Sequence, residues 1–145
     1  MSTPTIRTFK DLLVWQKAFR LALELHRLTS GFPPEERYGL SAELRKTARS
    51  VAYNIAEGHK RGSTTEYLRF LGIAAGSAAE LETQLLLARE LGYLTEAGAT
   101  RVLALHGEIE HTLDALTRSS APRSPRPLDP YPLPLGPSSS RADAS

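Results

Sequence analysis

Apolar residues recur at intervals of three and four along residues 8–118, and no strand-like alternation competes with this pattern. Intervals of three and four place side chains on one face of an α-helix, whereas a half-buried strand alternates residue by residue. Glycine, proline and capping residues divide the region into four stretches. The pattern therefore predicts an all-α protein with four helices.

The first predicted helix spans residues 10–30, where Thr8 and Asp11 have the spacing of a capping box. Its predicted apolar face consists of Leu12, Trp15, Phe19, Ala22, Leu23 and His26. The second helix begins at Ser41 as its N-cap, and its apolar stripe contains Leu44, Ala48, Val51 and Ile55. Gly58 and Gly62 interrupt this helix, and Gly58 can take the left-handed conformation that ends a helix.

The third predicted helix is the longest, from Ser63 and Glu66, which have capping-box spacing, to Leu91, with Gly92 after its last turn. Apolar residues cover most of its circumference, which predicts burial on more than one side. Self-association is one way to cover the second side.

Gly72 and Gly76 of the third helix permit a close approach of another backbone. This approach is either to another chain or, more commonly in proteins of this kind, to a neighbouring helix of the same chain. The fourth helix begins with Thr95 as its N-cap and has a narrow apolar seam of Val102, Leu105, Ile109, Leu113 and Leu116.

Four helices with short connections predict an antiparallel up-and-down four-helix bundle over residues 8–118. Seven of the ten prolines lie beyond this bundle, in residues 119–145. Because proline fixes φ and removes a backbone donor, neither a helix nor a central strand can propagate there. We expect a disordered Pro/Ser-rich tail, partly in the polyproline II conformation. A less favoured interpretation of its PxxP spacings is a ligand for an aromatic groove.

Composition excludes several classes of function. The 145 residues contain no cysteine, which excludes disulfides, thiolate zinc sites, iron–sulfur clusters and thiol nucleophiles. No apolar run is long enough for a membrane span, and the N-terminus lacks a signal-peptide apolar region, so we expect a cytoplasmic protein without a membrane partner. No GxSxG elbow, phosphate-binding loop or dinucleotide fingerprint occurs, and we expect neither catalysis nor a cofactor.

A metal site is not predicted. A di-metal carboxylate site in a helical bundle needs two Glu-x-x-His motifs, and the sequence has this spacing only at Glu108 and His111. His106 and His111 are five positions apart and diverge around a helix, which excludes the HExxH type of zinc site. We therefore interpret Glu108 and His111 as part of a solvated helix face.

Charge is separated along the chain, although the formal net charge is only +2. Residues 37–69 carry seven basic and three acidic side chains, whereas residues 80–118 carry three basic and seven acidic ones. Contacts to nucleic-acid phosphates require cations of this kind. The alternative is that the basic surface is solvated or pairs with the acidic helices. This alternative is favoured by the lack of an aromatic stacking platform interleaved with the basic residues. The candidate nucleic-acid-binding residues are Arg45, Lys46, Arg49, Lys60 and Arg61.

Five segments of residues 9–116 resemble the four-helix-bundle family of 23S rRNA intervening-sequence proteins. In chain order they are FKDLLVWQKA, FPPEERYGLSAELRKTA, SVAYNIAEG, EYLRFLGIAAGSAAELE and LETQLLLARELGYL. The resemblance implies a homopentameric barrel of four-helix protomers without known catalytic activity. Members are often encoded in inserts within large-subunit rRNA genes. A relative is the accessory protein of diversity-generating retroelements, which works with a reverse transcriptase on nucleic acid.

Two basic-segment positions depart from many members of that family. Glu43 stands where many relatives have Gln, and Lys46 stands where they have a second Arg. Both differences matter for phosphate binding, since they lower the positive field and remove a planar bidentate donor.

Asn54, Glu57 and Gly58, together with Gly72 and Gly76, are the candidate structural or interface motif. Asn54 and Glu57 share a helix face, and we hypothesise a polar contact at a helix or subunit junction, with Arg61 as a partner of Glu57. The favoured function is that of a non-catalytic oligomeric protein associated with nucleic acid. The alternative is a structural or protein-interaction scaffold without nucleic-acid binding, with the Pro-rich tail as a tether.

Overall fold

The computed structural model describes residues 5–121, which form four α-helices and no strand. The helices are α1 (Leu13–Thr29), α2 (Leu40–Lys60), α3 (Thr64–Glu90) and α4 (Glu96–Ser120). Short 3-10 turns occur at Phe9–Asp11 and Pro34–Glu36. The prediction of an all-α protein with four helices is confirmed. The predicted tail begins too early, because α4 includes Ser119 and Ser120, and its residues beyond 121 lie outside the described residues.

The four helices contact one another in a cyclic order. Both α1 and α3 pack against α2 and against α4, while α2 and α4 come into no close backbone contact. The space between the helices is filled by aliphatic side chains, the largest of which include Leu21, Leu25, Leu44, Ile55, Leu71, Leu81, Leu85, Ile109 and Leu113. The outer surfaces of α2 and α4 therefore lie on opposite sides of this core.

The first helix begins later than predicted. The predicted capping box of Thr8 and Asp11 is present, but it caps the 3-10 turn at Phe9–Asp11. Leu12 then has extended backbone angles, with φ −77° and ψ 125°, so the turn does not continue directly into α1. For this reason α1 begins at Leu13 rather than at residue 10.

The predicted apolar face of α1 lies only partly against the core, where Leu12, Trp15 and Ala22 pack. Phe19 and Leu23 of that face are 47% and 42% exposed, and Trp15 packs its ring between those of Phe9 and Phe19 at centroid distances of 5.1 and 5.0 Å. The helix has two adjacent apolar stripes, and periodicity alone does not tell which of them faces the other helices. The residues that α1 buries are Val14, Ala18, Leu21, Leu25 and Thr29.

The second helix differs from its predicted bounds at both ends. It begins at Leu40, whose N–H donates to Oε1 of Glu36 at 3.1 Å, and Ser41 is buried in the first turn instead of capping it. It continues through Gly58 to Lys60, and Gly62 is the residue with positive φ, at 78°. The predicted stripe is correct, because Leu44, Ala48, Val51 and Ile55 are all buried.

The ends of α3 and α4 follow the predicted capping residues. Oγ of Ser63 accepts from the Glu66 N–H at 3.2 Å, and Oγ1 of Thr95 accepts from the Gly98 N–H at 3.0 Å. Gly92 ends α3 with φ 80°. The predicted seam of α4 is also confirmed, since Val102, Leu105, Ile109 and Leu113 are buried and Leu116 is partly buried.

The third helix keeps part of its apolar surface outside the core. Ile73, Leu87 and Leu91 are 40%, 50% and 55% exposed. Their spacing places them along one side of α3, and we call these three residues the α3 apolar face. No helix within residues 5–121 has the length and apolar character needed to cross a membrane.

Candidate nucleic-acid interface

Three cations and a tyrosine form a line along the outer side of α2. Lys46, Arg49, Tyr53 and Lys60 follow one another at intervals of three, four and seven residues, which places them on one helix face. All four are exposed. At a rise of about 1.5 Å per residue the line is about 21 Å long. We call these four residues the α2 basic line.

Tyr53 adds an aromatic ring to the positive surface. Its side chain is 65% exposed and lies one helical turn after Arg49. The expectation of no aromatic stacking platform did not take account of this exposed ring. The sequence alone places Tyr53 beside Arg49, because residues four apart are neighbours on a helix. An exposed ring beside cations is suited to stacking against nucleic-acid bases.

The α2 basic line is separated from the acidic side of the chain. Within residues 5–121 no ion pair involves its three cations. Two acidic residues of α4 have other partners: Glu108 pairs with Lys17 at 2.9 Å, and Asp114 pairs with Arg118. Because α4 lies across the core from α2, its carboxylates do not neutralise the α2 surface.

Arg45 occupies a different position from the other candidate cations. Its Nε donates to Oγ1 of Thr29 at 2.7 Å, and its Nη2 donates to the His26 carbonyl at 3.0 Å and to Oγ of Ser30 at 3.2 Å. Three of the five guanidinium donors therefore close the C-terminal end of α1, where free carbonyls and the helix dipole favour a cation. Arg45 thus fastens α2 to α1.

Two arginines stack on one phenylalanine at the turn between α2 and α3. The guanidinium of Arg61 lies 5.0 Å from the ring centroid of Phe70, and that of Arg69 lies 4.5 Å from it. Arg61 also pairs with Glu57 at 3.1 Å, as the sequence spacing suggested. The hydrogen bond from Arg69 holds the pKa of Glu66 below its ordinary value. Each arginine of this turn is paired with a glutamate, so the turn places guanidinium groups beside the end of the α2 basic line without adding net charge.

Asn54 and Gly58 lie where α2 packs against α3. Nδ2 of Asn54 donates to the Ser50 carbonyl at 2.8 Å and to Oγ of Ser50 at 3.1 Å, and the two hydroxyls of Ser50 and Ser77 are hydrogen-bonded at 2.9 Å. Gly58 is buried, and a Cβ at this position would lie 2.7 Å from Cβ of Phe70. Gly58 therefore allows the close approach of the two helices and does not end α2.

The two central glycines of α3 are exposed. A Cβ at Gly72 or Gly76 would meet no atom within 4 Å. Close packing within the described residues therefore does not explain these glycines. They lie on the side of α3 that also carries the α3 apolar face, so packing against another chain remains the alternative.

An apolar groove of about 350 Å³ lies between α1 and α2. Phe19 and Leu23 of α1 form one wall, and Ala52 and Tyr53 of α2 contribute to the other. Phe19 and Leu23 belong to the apolar face that the sequence pattern predicted for α1. Exposed apolar side chains gathered in a groove are typical of surfaces that contact another molecule. We call this feature the α1–α2 groove.

A cluster of potential metal ligands lies where α3 packs against α4, and no pattern in the sequence identified it. Glu82, His106 and Glu110 each place a ligating atom within 4.8 Å of the other two. The spacing of His106 and Glu110 is visible in the sequence, but Glu82 comes from another helix and joins them only through tertiary packing. Glu108, which has the Glu-x-x-His spacing with His111, instead pairs with Lys17.

The fold and the charged surfaces define an all-α, four-helix protein that has a basic helix on one side of its core and an acidic helix on the other. The model of the 23S rRNA-intervening sequence protein family matches residues 10–115. The chain belongs to this family, as the resemblance indicated.

Comparison with solved structures supports the same fold. The chain is similar to a protein of unknown function from the S23 ribosomal protein family of Bacteroides thetaiotaomicron, with a TM-score of 0.68 and 21% sequence identity. The similarity covers 73% of this chain and 99% of that chain. At this identity the likeness shows the fold alone. No curated protein matches the chain significantly.

Proposed function

We propose that this chain is a non-catalytic oligomeric protein that binds the phosphate backbone of RNA or DNA through the outer surface of α2. The observation that carries the proposal is the α2 basic line, whose Lys46, Arg49 and Lys60 are exposed and form no ion pair within residues 5–121. Cations that are not already neutralised can replace the counterions of a nucleic acid, which is the main source of its affinity for proteins.

The candidate residues take different parts in this proposal. Lys46, Arg49 and Lys60 contact phosphates along one strand, and a length of about 21 Å corresponds to about six base steps of that strand. Arg61 adds a contact at the α2–α3 turn. Arg45 acts as a positioning residue, since most of its donors hold α2 against α1. Tyr53 stacks on an unpaired base where the nucleic acid is single-stranded.

We infer an antiparallel up-and-down arrangement of the four helices. Three residues connect α2 to α3 and five connect α3 to α4, and consecutive helices pack against each other. Connections this short are typical of antiparallel neighbours. Ser50, which accepts from Asn54, and Gly58 contribute to the contact between α2 and α3.

The proposed assembly is a homopentamer, the state implied by the family resemblance. A closed ring requires two different surfaces on each protomer, because each copy contacts its two neighbours with different sides. The exposed Phe19 and Leu23 of α1 and the α3 apolar face are two such surfaces, and Gly72 and Gly76 allow close approach beside the second. Five copies of the α2 basic line can act together on one polyanion, so that weak contacts add up. The proposed protein partner of this assembly is a nucleic-acid-processing protein such as a reverse transcriptase.

The test is to remove three charges from α2 and compare the result with removal of three charges elsewhere. Lys46→Gln/Arg49→Gln/Lys60→Gln should lower affinity for structured RNA and duplex DNA. For duplex DNA, the slope of log K against log salt should become shallower by about 0.9 for each phosphate that the variant no longer neutralises. The matched control is Arg89→Gln/Arg101→Gln/Arg118→Gln, which has the same net charge and should leave the slope unchanged. Equal reductions in affinity in both variants would reject the assignment to α2.

The second candidate function is a protein-interaction scaffold without nucleic-acid binding. The observation in its favour is the apolar α1–α2 groove, which suits a protein surface better than a polyanion. Light scattering of the protein alone and with structured RNA or duplex DNA, at low and at physiological salt, separates the two candidates. A complex that forms only with nucleic acid and weakens steeply with salt supports the first. An assembly that binds neither nucleic acid supports the scaffold.

A further inference from the structure

A buried histidine of α4 faces two glutamates where α3 packs against α4. His106 is 2% exposed, and its Nε2 lies 2.6 Å from the carbonyl oxygen of Ala78 on α3. Since a carbonyl oxygen can only accept, Nε2 carries the proton. In the neutral imidazole the lone pair is therefore on Nδ1, on the other side of the ring.

Nδ1 of His106 is directed at carboxylates. It lies 3.7 Å from Oε1 of Glu110, and the ligating atoms of Glu82, His106 and Glu110 all lie within 4.8 Å of one another. Among residues 5–121 neither glutamate pairs with a lysine or arginine, and Nδ1 makes no hydrogen bond. Two carboxylates that converge on a nitrogen lone pair attract a cation, which is either a proton on Nδ1 or a metal ion.

We propose that Glu82, His106 and Glu110 form a binding site for a divalent transition-metal ion of the zinc type. One imidazole nitrogen and two carboxylates suit Zn²⁺, whereas Mg²⁺ and Ca²⁺ prefer ligand sets made of oxygen alone. The bond from Nε2 to Ala78 has the form of the outer hydrogen bond that fixes the tautomer and ring orientation of a metal-binding histidine. Three protein ligands leave a fourth position for water.

The distances fit such a site after small side-chain movements. Ligands bound tetrahedrally to zinc lie roughly 3.3–3.5 Å apart, because each bond is about 2.0–2.2 Å long. Glu82 and Glu110 are only partly buried and can rotate by the required amount, whereas the buried ring of His106 is already fixed by Ala78. The ion joins α3 to α4, so its binding should stabilise the packing of these helices.

The test uses the full chain, freed of affinity tags and of metal, and titrated with Zn²⁺ alone. Calorimetry should show one zinc ion per chain, and the midpoint of thermal unfolding should rise with the zinc concentration. Co²⁺ at the same site should give the visible absorption of a low-coordinate complex, which reports ligation directly. Mg²⁺ should change neither measurement.

Variants separate this site from adventitious zinc binding. Glu82→Gln/Glu110→Gln alters two partly exposed side chains, so the protein should fold, bind zinc at least about tenfold more weakly and lose the thermal shift. Glu80→Gln/His111→Gln changes an exposed glutamate on α3 and an exposed histidine on α4 and should bind zinc like the parent chain. Absence of zinc binding by the parent chain overturns the proposal. Zinc binding that is retained in Glu82→Gln/Glu110→Gln but lost in Glu80→Gln/His111→Gln also overturns the proposal, because the ion would then bind to the exposed residues.

Discussion

The hydroxyl of Tyr93 donates a 2.8 Å hydrogen bond to Oε2 of Glu36, although the two residues are 57 positions apart. The other carboxylate oxygen of Glu36 accepts from the N–H of Leu40 at 3.1 Å, at the first residue of α2. Phe32 is buried and packs against the Tyr93 ring at a centroid distance of 5.2 Å. This carboxylate therefore serves as a cap for α2 and links the α1–α2 connection to the α3–α4 connection.

These hydrogen bonds make Glu36 a source of pH dependence. The Leu40 N–H, and after it the Tyr93 hydroxyl, hold the pKa of Glu36 below its ordinary value of 4.5. Between the lowered and the ordinary pKa the unfolded chain therefore binds more protons than the folded chain. The stabilisation by Glu36 is complete above the ordinary pKa and is lost as the pH falls through the lowered one.

We predict that Glu36→Gln makes the free energy of unfolding less dependent on pH on the acid side of neutrality. Urea unfolding over a series from about pH 3 to about pH 7 measures this slope. Glu35→Gln is the matched control, because Glu35 is the exposed neighbour and accepts no side-chain hydrogen bond within the described residues. A slope that changes in the control but not in Glu36→Gln would contradict the role assigned to Glu36.

A second prediction concerns the close contact of α2 with α3. Gly58→Ala places a Cβ 2.7 Å from Cβ of Phe70, in a buried position, and should lower the free energy of unfolding by about 1–3 kcal/mol. Gly107→Ala, on the exposed side of α4, meets no atom within 4 Å and should raise it by about 0.4–1 kcal/mol. Chemical denaturation of both variants checks the pair. Equal stability of the two variants is the result that contradicts the close approach at Gly58.

A third prediction separates Arg45 from its neighbour Arg49. Arg45→Gln removes a guanidinium that donates to Thr29, Ser30 and the His26 carbonyl, and should destabilise the fold by about 1.5–3 kcal/mol. Arg49→Gln changes an exposed side chain and should alter stability by less than about 0.5 kcal/mol. In nucleic-acid binding the order should reverse, with Arg49→Gln giving the larger fall in salt dependence. Urea unfolding and a salt series on the same two proteins measure both effects.

Helix ends were predictable where the signal is local. Ser63 and Thr95 cap α3 and α4 because each hydroxyl reaches an N–H three residues ahead, a geometry fixed by the sequence spacing. The start of α2 was not predictable in this way, because its first N–H is met by Glu36 from the preceding turn. Sequence spacing also failed at Gly58, whose role depends on the position of Phe70 on another helix.

The surface features of the protein were likewise predictable from the sequence only where they depend on a single helix. The lysines and arginines of α2 could be named from charge alone, and Tyr53 could have been added from its spacing to Arg49. The exposed stripe of α1 and the cluster around His106 could not be found, because both depend on how helices pack. Periodicity shows that a helix has an apolar side, but two adjacent stripes leave its orientation open until the partner helices are in place.

The last prediction follows from the position of Phe19 and Leu23 outside the core. Both side chains are nearly half exposed and form one wall of the α1–α2 groove. If Phe19 and Leu23 contact the neighbouring copy, Phe19→Ser/Leu23→Ser should reduce the mass measured by light scattering while helical content stays unchanged. Leu13→Ser is the matched control, because Leu13 is 57% exposed on a different face of α1 and should leave the mass unchanged. A double variant that keeps the parent mass would place the subunit contact elsewhere, since removing two apolar side chains from an interface weakens association.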